Sequence, residues 1–386
     1  MKATFLAGAA ALALVPGAAL ALGLDRSGQP VDILFEDGNA FELSFGRVMP
    51  DVTGTDAALF GGSASGEVAE NYNQVGAAIK YQLTDRLSFA LIADQPFGSD
   101  VSYPAGGSFA LGGTQARVDS KSLTALARYE ISDAFSVHGG LRRTRLSADV
   151  TLAGLAYGGL SGYNAGFEED SDTGYVLGVA YERPDIALRV ALTYSSKMEH
   201  DLKTTETLNG IPVNLINPLL SASSTTTVET PASVNLDFQT GLNQQTLLFG
   251  QIRYAWYGDV IVSPVFFDIA QDGGLRDNDS LTDIEDGYAL TVGIGRRLTD
   301  KLSGSVTFGY EQDRDNLVSP LSPTNGQKSI GLGLSYQVTE QVNIAGGARY
   351  VWLGDASPAT GDPRTARADF ADNDVVGVGL QIGYRF

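Results

Sequence analysis

The chain has 386 residues, is 43% hydrophobic and carries a formal charge of -19, with a mean hydropathy of -0.01. That balance excludes a bundle of membrane helices, and the negative charge excludes a nucleic-acid binder, because phosphate recognition needs clustered lysine and arginine. Cysteine is absent, which removes disulfides, cysteine nucleophiles and thiolate metal centres and suits passage through an oxidising compartment.

Lys2 and the alanine- and leucine-rich run that follows it, closing on Ala19-Leu20-Ala21, have the charge, length and small-x-small ending of a cleaved signal peptide over residues 1–21. Residues 22–40, LGLDRSGQPVDILFEDGNA, show no regular alternation and hold Gly28, Pro30 and Gly38. A solvated leader has little use for Ile33-Leu34-Phe35, so this segment is expected to be a plug packed inside a larger structure. Gly38 and Asn39 complete that candidate gate.

From Phe41 to the terminus, apolar residues recur at every second position. Leu188, Val190, Leu192 and Tyr194 form one such set; Tyr288, Leu290, Val292 and Ile294 another; the last runs from Val376 through Leu380 and Tyr384 to Phe386. A period of two means a strand with one apolar face. Short polar turns such as YQLTDRLS (81–88), YEISDAFS (129–136) and RRLTDKLS (296–303) punctuate the strands. Six short turns alternate with seven long connections, at 50–71, 96–118, 146–172, 198–230, 257–286, 312–326 and 353–373, which leaves fourteen strands.

The fold class that follows is all-β: a 14-stranded antiparallel transmembrane β-barrel over residues 41–386 with a short N-terminal plug. Hydrocarbon offers the backbone no hydrogen-bond partner, so a β-structure in lipid must close on itself. Tyr129, Tyr181, Tyr254, Trp256, Tyr336, Tyr350 and Trp352 fall at strand ends, where interfacial aromatic belts sit. About eight strands suffice for a filled interior, so a fourteen-stranded lumen needs a plug or fills with water.

Two loops stand out. Loop three offers Leu152, Leu155, Tyr157, Leu160, Tyr163 and Phe167. Loop four begins near Met198 and carries Leu208, Ile211, Val213, Leu215, Ile216, Leu219 and Leu220. Exposed apolar patches mark binding sites, and each ligand methylene buried contributes about 0.8 kcal/mol; the two loops packing into a lid is the alternative. Pro96, Phe97 and Gly98 break the third strand, as its end or as an opening in the wall. The acidic runs at 166–172 and 271–287 read as solvated loops, with cation binding as the alternative. Lys80, Arg128, Arg189, Arg253 and Arg349 point inward, towards a ligand carboxylate or towards Glu42, Asp94, Glu130 and Asp237. His138 and His200 are the only histidines. No nucleophile motif accompanies them, so neither an enzyme, a cofactor nor a metal site is expected.

Four stretches, LFEDGNAFELSFGRVMPDVTG (34–54), DQPFGSDVSYP (94–104), ALTYSSKMEHDLKT (191–204) and TPASVNLDFQTGLNQQTLLFGQIRYAWYGD (230–259), resemble the FadL family of outer-membrane long-chain fatty-acid transporters. The resemblance implies passive uptake of a fatty acid or a hydrocarbon. The ligand is caught in an apolar groove of loops three and four, passes to a pocket in the barrel as an N-terminal hatch shifts, and leaves laterally at a kink in strand three. It also implies a monomer in the bacterial outer membrane, among lipid and lipopolysaccharide. The hatch here is shorter than usual and lacks the family's Asn-Pro-Ala stretch, with DGNAFE (37–42) near its place. A last strand ending in Phe386 resembles the recognition signal of the barrel-assembly machinery. The rival reading is a porin for small hydrophilic solutes, which predicts a steadily open pore.

Overall fold

Period-two alternation is realised as a closed ring of fourteen antiparallel strands in the computed structural model, which describes residues 23–271 and 279–386. Residues 1–21, where a signal peptide is expected, and part of the acidic run 271–287 lie outside the described residues. The strands are β1 (Ala40–Asp51), β2 (Tyr72–Gln82), β3 (Leu87–Asp94 and Gly98–Ser102), β4 (Gln115–Glu130), β5 (Phe135–Leu152), β6 (Tyr163–Arg183) and β7 (Leu188–Ser195 and Met198–Leu208). They continue with β8 (Ser224–Thr230 and Ser233–Asn243), β9 (Thr246–Ala255), β10 (Gly287–Arg297), β11 (Leu302–Glu311), β12 (Gln327–Gln337), β13 (Val342–Leu353) and β14 (Asp374–Arg385). Each pairs with its neighbours in sequence. The ring closes because β1 pairs with β14 from Ala40↔Arg385 to Asp51↔Asp374, so the first and last strands are not free edges. Among the described residues, no helix is long and apolar enough to cross a membrane.

The outer face carries Leu43, Phe45, Ile79, Leu91, Leu177, Leu192, Leu332 and Leu380, all exposed. In water this would be an untenable surface; in lipid it is the solvated one. Aromatic pairs bound the band. Tyr175–Tyr194, Tyr254–Trp256 and Tyr350–Trp352 mark the long-loop side, and Phe135–Tyr181 and Tyr384–Phe386 the short-turn side. The inner face is small, polar or charged, with Ser88, Thr124, Arg142, Thr193, Asn235, Arg253 and Ser305 buried.

Above the band the wall does not stop. β5 and β6 run on as a hairpin to Leu152 and Tyr163, and β7 and β8 continue past Ser195 and Ser233. Residues expected to be connections at 146–172 and 198–230 are therefore largely strand, the acidic stretch 166–172 included. Backbone pairing needs no lipid, and above the band the outward side chains, such as Glu168 and Lys203, meet water and pair with one another at 2.7 Å. That inversion hid the strands from an alternation reading. The long-loop end is filled by one apolar cluster, including Val52, Tyr103, Leu111, Leu146, Leu152, Tyr163, Phe167, Leu202, Phe267, Leu281 and Phe370.

Candidate functional site

The segment before β1 runs through the lumen. Its short-turn end is a 3-10 turn at Asp32–Phe35, which buries Val31, Ile33 and Leu34 against Ala78, Ala90, Ile92, Leu126 and Val176 of the wall. Small inward residues leave the room that Ile and Leu occupy. Phe35 lies between Arg128 and Arg189, whose guanidinium carbons stand 4.8 and 4.6 Å from its ring centroid, and it meets His138 edge-on. Asp32 pairs with Arg189 at 3.1 Å, Glu36 pairs with Arg385, and the Lys80 ammonium donates to the Glu36 carbonyl. Gly38 turns at φ +64° into β1. Asn39 accepts from Gln82 N–H through its side chain and from Phe386 N–H through its carbonyl.

Higher up, Asp25 is the anchor. Its carboxylate accepts from Arg253 Nε at 2.6 Å and Nη2 at 3.1 Å and from the Tyr257 hydroxyl at 3.1 Å, while Asn235 takes Arg253 Nη1 at 2.8 Å. Both charges are fully buried. Gln74 and Asn235 bond the carbonyls of Arg26 and Gly28.

Next to this anchor the wall is interrupted. The β2–β3 ladder runs only from Gln82↔Ser88 to Ala77↔Ala93, so residues 72–76 of β2 pair with β1 alone. At 95–97, β3 turns inward and takes the N-terminal segment as its partner. Arg26 N–H donates to the Pro96 carbonyl at 2.7 Å, and Gly98 N–H to the Leu24 carbonyl at 2.9 Å. Pro96 has no N–H to lose there. Phe97 is bonded through both backbone groups to Ser120, and the orphaned Val75 N–H is met by the Gln95 side chain at 3.0 Å. The gap left in the β2–β3 ladder, a window in the wall, is thus spanned at Val75 by a side chain, with the N-terminal segment and residues 68–70 pairing to β3 around it.

Two separate cavities lie near this level. The lower, of about 200 Å³, has a largely apolar wall set with charged and polar groups, Arg26, Asp32, Glu42, Gln74, Asp94, Asp237 and Arg253; it reaches the window at Val75, Gly76, Ala77, Ala93 and Gln95. The upper, of about 80 Å³, is apolar and lies among Phe97, Val118, Leu146, Val150, Phe167, Leu202, Val228, Tyr257 and Leu281. Leu24 forms part of its lining.

The candidate loop residues separate into two groups. Leu152, Leu160, Tyr163, Phe167, Met198 and Val213 are buried, with Tyr157 and Leu208 half-buried beside them. Of these, Phe167 lines the upper cavity. Leu155, Ile211, Leu215, Ile216 and Leu219 are exposed, the last at 92%, and Leu220 is half-buried; the tip of loop four holds the short helix α1 (Val213–Ile216). Arg128 keeps Glu130, one of the carboxylates read from the sequence, while Arg189 and Arg253 find other partners. Arg128 bonds Glu182 as well as Glu130, Arg189 takes Asp32, and Arg253 takes Asp25. Glu42 and Asp237 instead accept from Gln381 and Gln251, and Asp94 from Ser27 and Ser122.

Glu206 is a residue the sequence did not single out. Its carboxylate accepts from the Tyr163 hydroxyl at 2.8 Å and from Phe266 and Phe267 N–H at 3.0 and 3.1 Å, so it seats helix α2 (Val265–Gln271) over the loop-end core. Burial, then the adjacent carboxylate, holds the Tyr163 hydroxyl well above its usual pKa, so it remains a donor. Glu206→Ala strands three buried donors at about 1–3 kcal/mol each. Hydrogen exchange at the Phe266 and Phe267 amides is expected to accelerate sharply, and less in Tyr163→Phe. Unchanged exchange would remove Glu206 from this role.

The sequence from residue 8 to residue 386 matches the family model described as outer membrane protein transport protein (OMPP1/FadL/TodX). Solved structures of similar fold include a Pseudomonas aeruginosa FadL homologue, at 16% identity over 100% of this chain and 98% of that one, with a TM-score of 0.73. The P. putida toluene transporter TodX aligns at 14% identity over 91% and 90%, TM-score 0.62. The Ralstonia pickettii toluene transporter TbuX aligns at 16% identity over 90% of each chain, TM-score 0.59. Among curated proteins, none matches this chain.

Proposed function

Taking as its premise that the chain belongs to the outer membrane protein transport family (OMPP1/FadL/TodX), we propose that this barrel takes up hydrophobic compounds passively, long-chain fatty acids foremost, and releases them sideways into the membrane. Leu155 and the loop-four tip from Ile211 to Leu219 would catch the ligand. Phe167, Leu202 and their neighbours would take its chain in the upper cavity, and the lower cavity would lead to the window beside Gln95.

The observation that carries this reading is the juxtaposition of a stopped lumen with an unladdered wall. Along the axis, residues 31–36 fill the short-turn end with apolar packing and three ion-pair or carbonyl contacts. Sideways, five residues of β2 lack a β3 partner, and the cavity reaches them. Small side chains, Gly76, Ala77 and Ala93, stand there. A porin needs the opposite arrangement, an open axis within a sealed wall. Two structural relatives carry the names of toluene transporters, and an aromatic hydrocarbon would suit the upper cavity as an alkyl chain does.

We further read residues 1–21 as a signal removed on export, residues 22–40 as a plug, Phe386 as the mark read by the barrel-assembly machinery, and the working unit as a monomer bathed in lipid and lipopolysaccharide. The test is direct. Protein purified in mild detergent is extracted with organic solvent and the extract weighed by mass spectrometry, while the same sample is inserted in planar bilayers. Co-purified acyl chains and a silent bilayer are expected. A large steady conductance from the intact protein would replace uptake with a porin.

A further inference from the structure

Arg26 is a buried cation whose side chain has been given nothing to bond. It is 8% exposed. Its backbone is tied to Pro96 and Gln74, but among the described residues its guanidinium has neither an ion pair nor a hydrogen bond. What holds it is an aromatic face: the guanidinium carbon stands 4.1 Å from the Tyr72 ring centroid. Asp100 and Asp119 act on it only through space. The neighbouring cations are provided for, Arg189 by Asp32, Arg253 by Asp25 and Asn235, and Arg142 by Thr124, Gln29 and Ser195.

A guanidinium taken out of water costs several kcal/mol unless its donors are met. Arg26 lines the lower cavity at the window, next to Gln74 and Val75. Gly98 makes its place, since a Cβ at residue 98 would overlap the guanidinium. The contact with the Tyr72 ring uses none of the guanidinium N–H donors, which leaves them for an acceptor. The carboxylates of the same cavity are already engaged, Asp32 with Arg189, Glu42 with Gln381, Asp94 with Ser27 and Ser122, Asp237 with Gln251.

We propose that Arg26 is the docking point for the carboxylate head of an alkyl-chain acid, held at the window while the chain passes between β2 and β3 beside Val75 and Gly76, above the last rung at Ala77↔Ala93. This rests on the uptake reading and adds to it a preference for acids over neutral compounds of equal length. Two forked N–H···O bonds match a carboxylate, and an alcohol or a hydrocarbon can use neither the charge nor the fork.

Dodecanoate and dodecan-1-ol share a chain and differ in the head, so they form the test pair, with acetate as the head alone. Binding to the full-length barrel in detergent is measured by calorimetry for wild type, Arg26→Gln and Arg26→Lys, with heat-modifiable gel mobility as the check of folding. Arg26→Gln is expected to weaken dodecanoate by about tenfold or more and dodecanol by less than about twofold, with Arg26→Lys in between. Equal loss for both probes, or loss for neither, overturns the assignment and leaves uptake standing. A wild-type barrel that takes up neither overturns both. Should Arg26→Gln fail to fold, Gly98→Ala displaces the same guanidinium. Wild-type dodecanoate affinity must then also fall with salt while dodecanol does not, and parallel salt behaviour overturns the proposal.

Discussion

Asp25→Ala is expected to unseat residues 24–28 and expose them to protease, with current following where the packing of residues 31–36 gives way as well. The substitution leaves Arg253 buried with Asn235 as its one hydrogen-bonded side-chain partner among the described residues, and the Tyr257 hydroxyl without its acceptor. Breaking a buried ion pair from one side costs about 3–5 kcal/mol, because the remaining charge has no water. That cost falls on the docked state alone, since a withdrawn segment lets water reach Arg253. The docking equilibrium of residues 24–28 should therefore shift on the order of a hundredfold to several thousandfold. Steps in planar-bilayer current, and cleavage of the segment by added protease, measure it. Asp25→Asn keeps the acceptor and should be cleaved less. The pair Asp25→Leu with Arg253→Met should be protected again, as buried pairs exchange for apolar residues at little cost. If Asp25→Ala stays protected, the ion pair is not the latch.

Leu192→Arg is the second large effect. Leu192 lies on the outer face of β7, opposite Val179 and Leu236, with Tyr194 of the upper aromatic belt one outward position above it. A charge in hydrocarbon at that depth costs about 2–4 kcal/mol. The matched control is Thr291→Arg, which points inward onto the lower cavity, where other guanidinium groups already sit. Ala191 also points inward, but it is fully buried and leaves no room for a longer side chain. Folding into lipid vesicles under a urea titration is expected to show a lower midpoint for Leu192→Arg and a near-native one for Thr291→Arg. Equal losses would refute the assigned faces.

The strands inside the membrane were legible because lipid and lumen sort side chains at alternate positions, as in Leu188 to Tyr194. The same rule failed above the aromatic belt. There Glu168, Asp170 and Asp172 lie on a strand that continues β6, since water on the outside admits charge wherever it falls. The break at Pro96 to Gly98 was visible as a lost donor and a lost side chain, but not its partner. Nothing in Leu24-Asp25-Arg26 announces pairing with Pro96 and Gly98, some seventy residues on. Among the loop candidates, apolar character alone did not distinguish Tyr163 and Leu152, which are packed inside, from Leu215 and Leu219, which are bare.

Composition and alternation by themselves determined a closed, lipid-facing cylinder, its strand number, its outward set and a segment too apolar to be a loose leader. Those follow from local chemistry, one residue and its two neighbours at a time. Tertiary structure alone decided that Asp25 meets Arg253, that β3 gives up β2 for the N-terminal segment, and that Arg26 has no acceptor among the described residues beside the resulting window. Each of these depends on which distant groups the closed ring brings within about 3 Å, the range over which a hydrogen bond is made or missed.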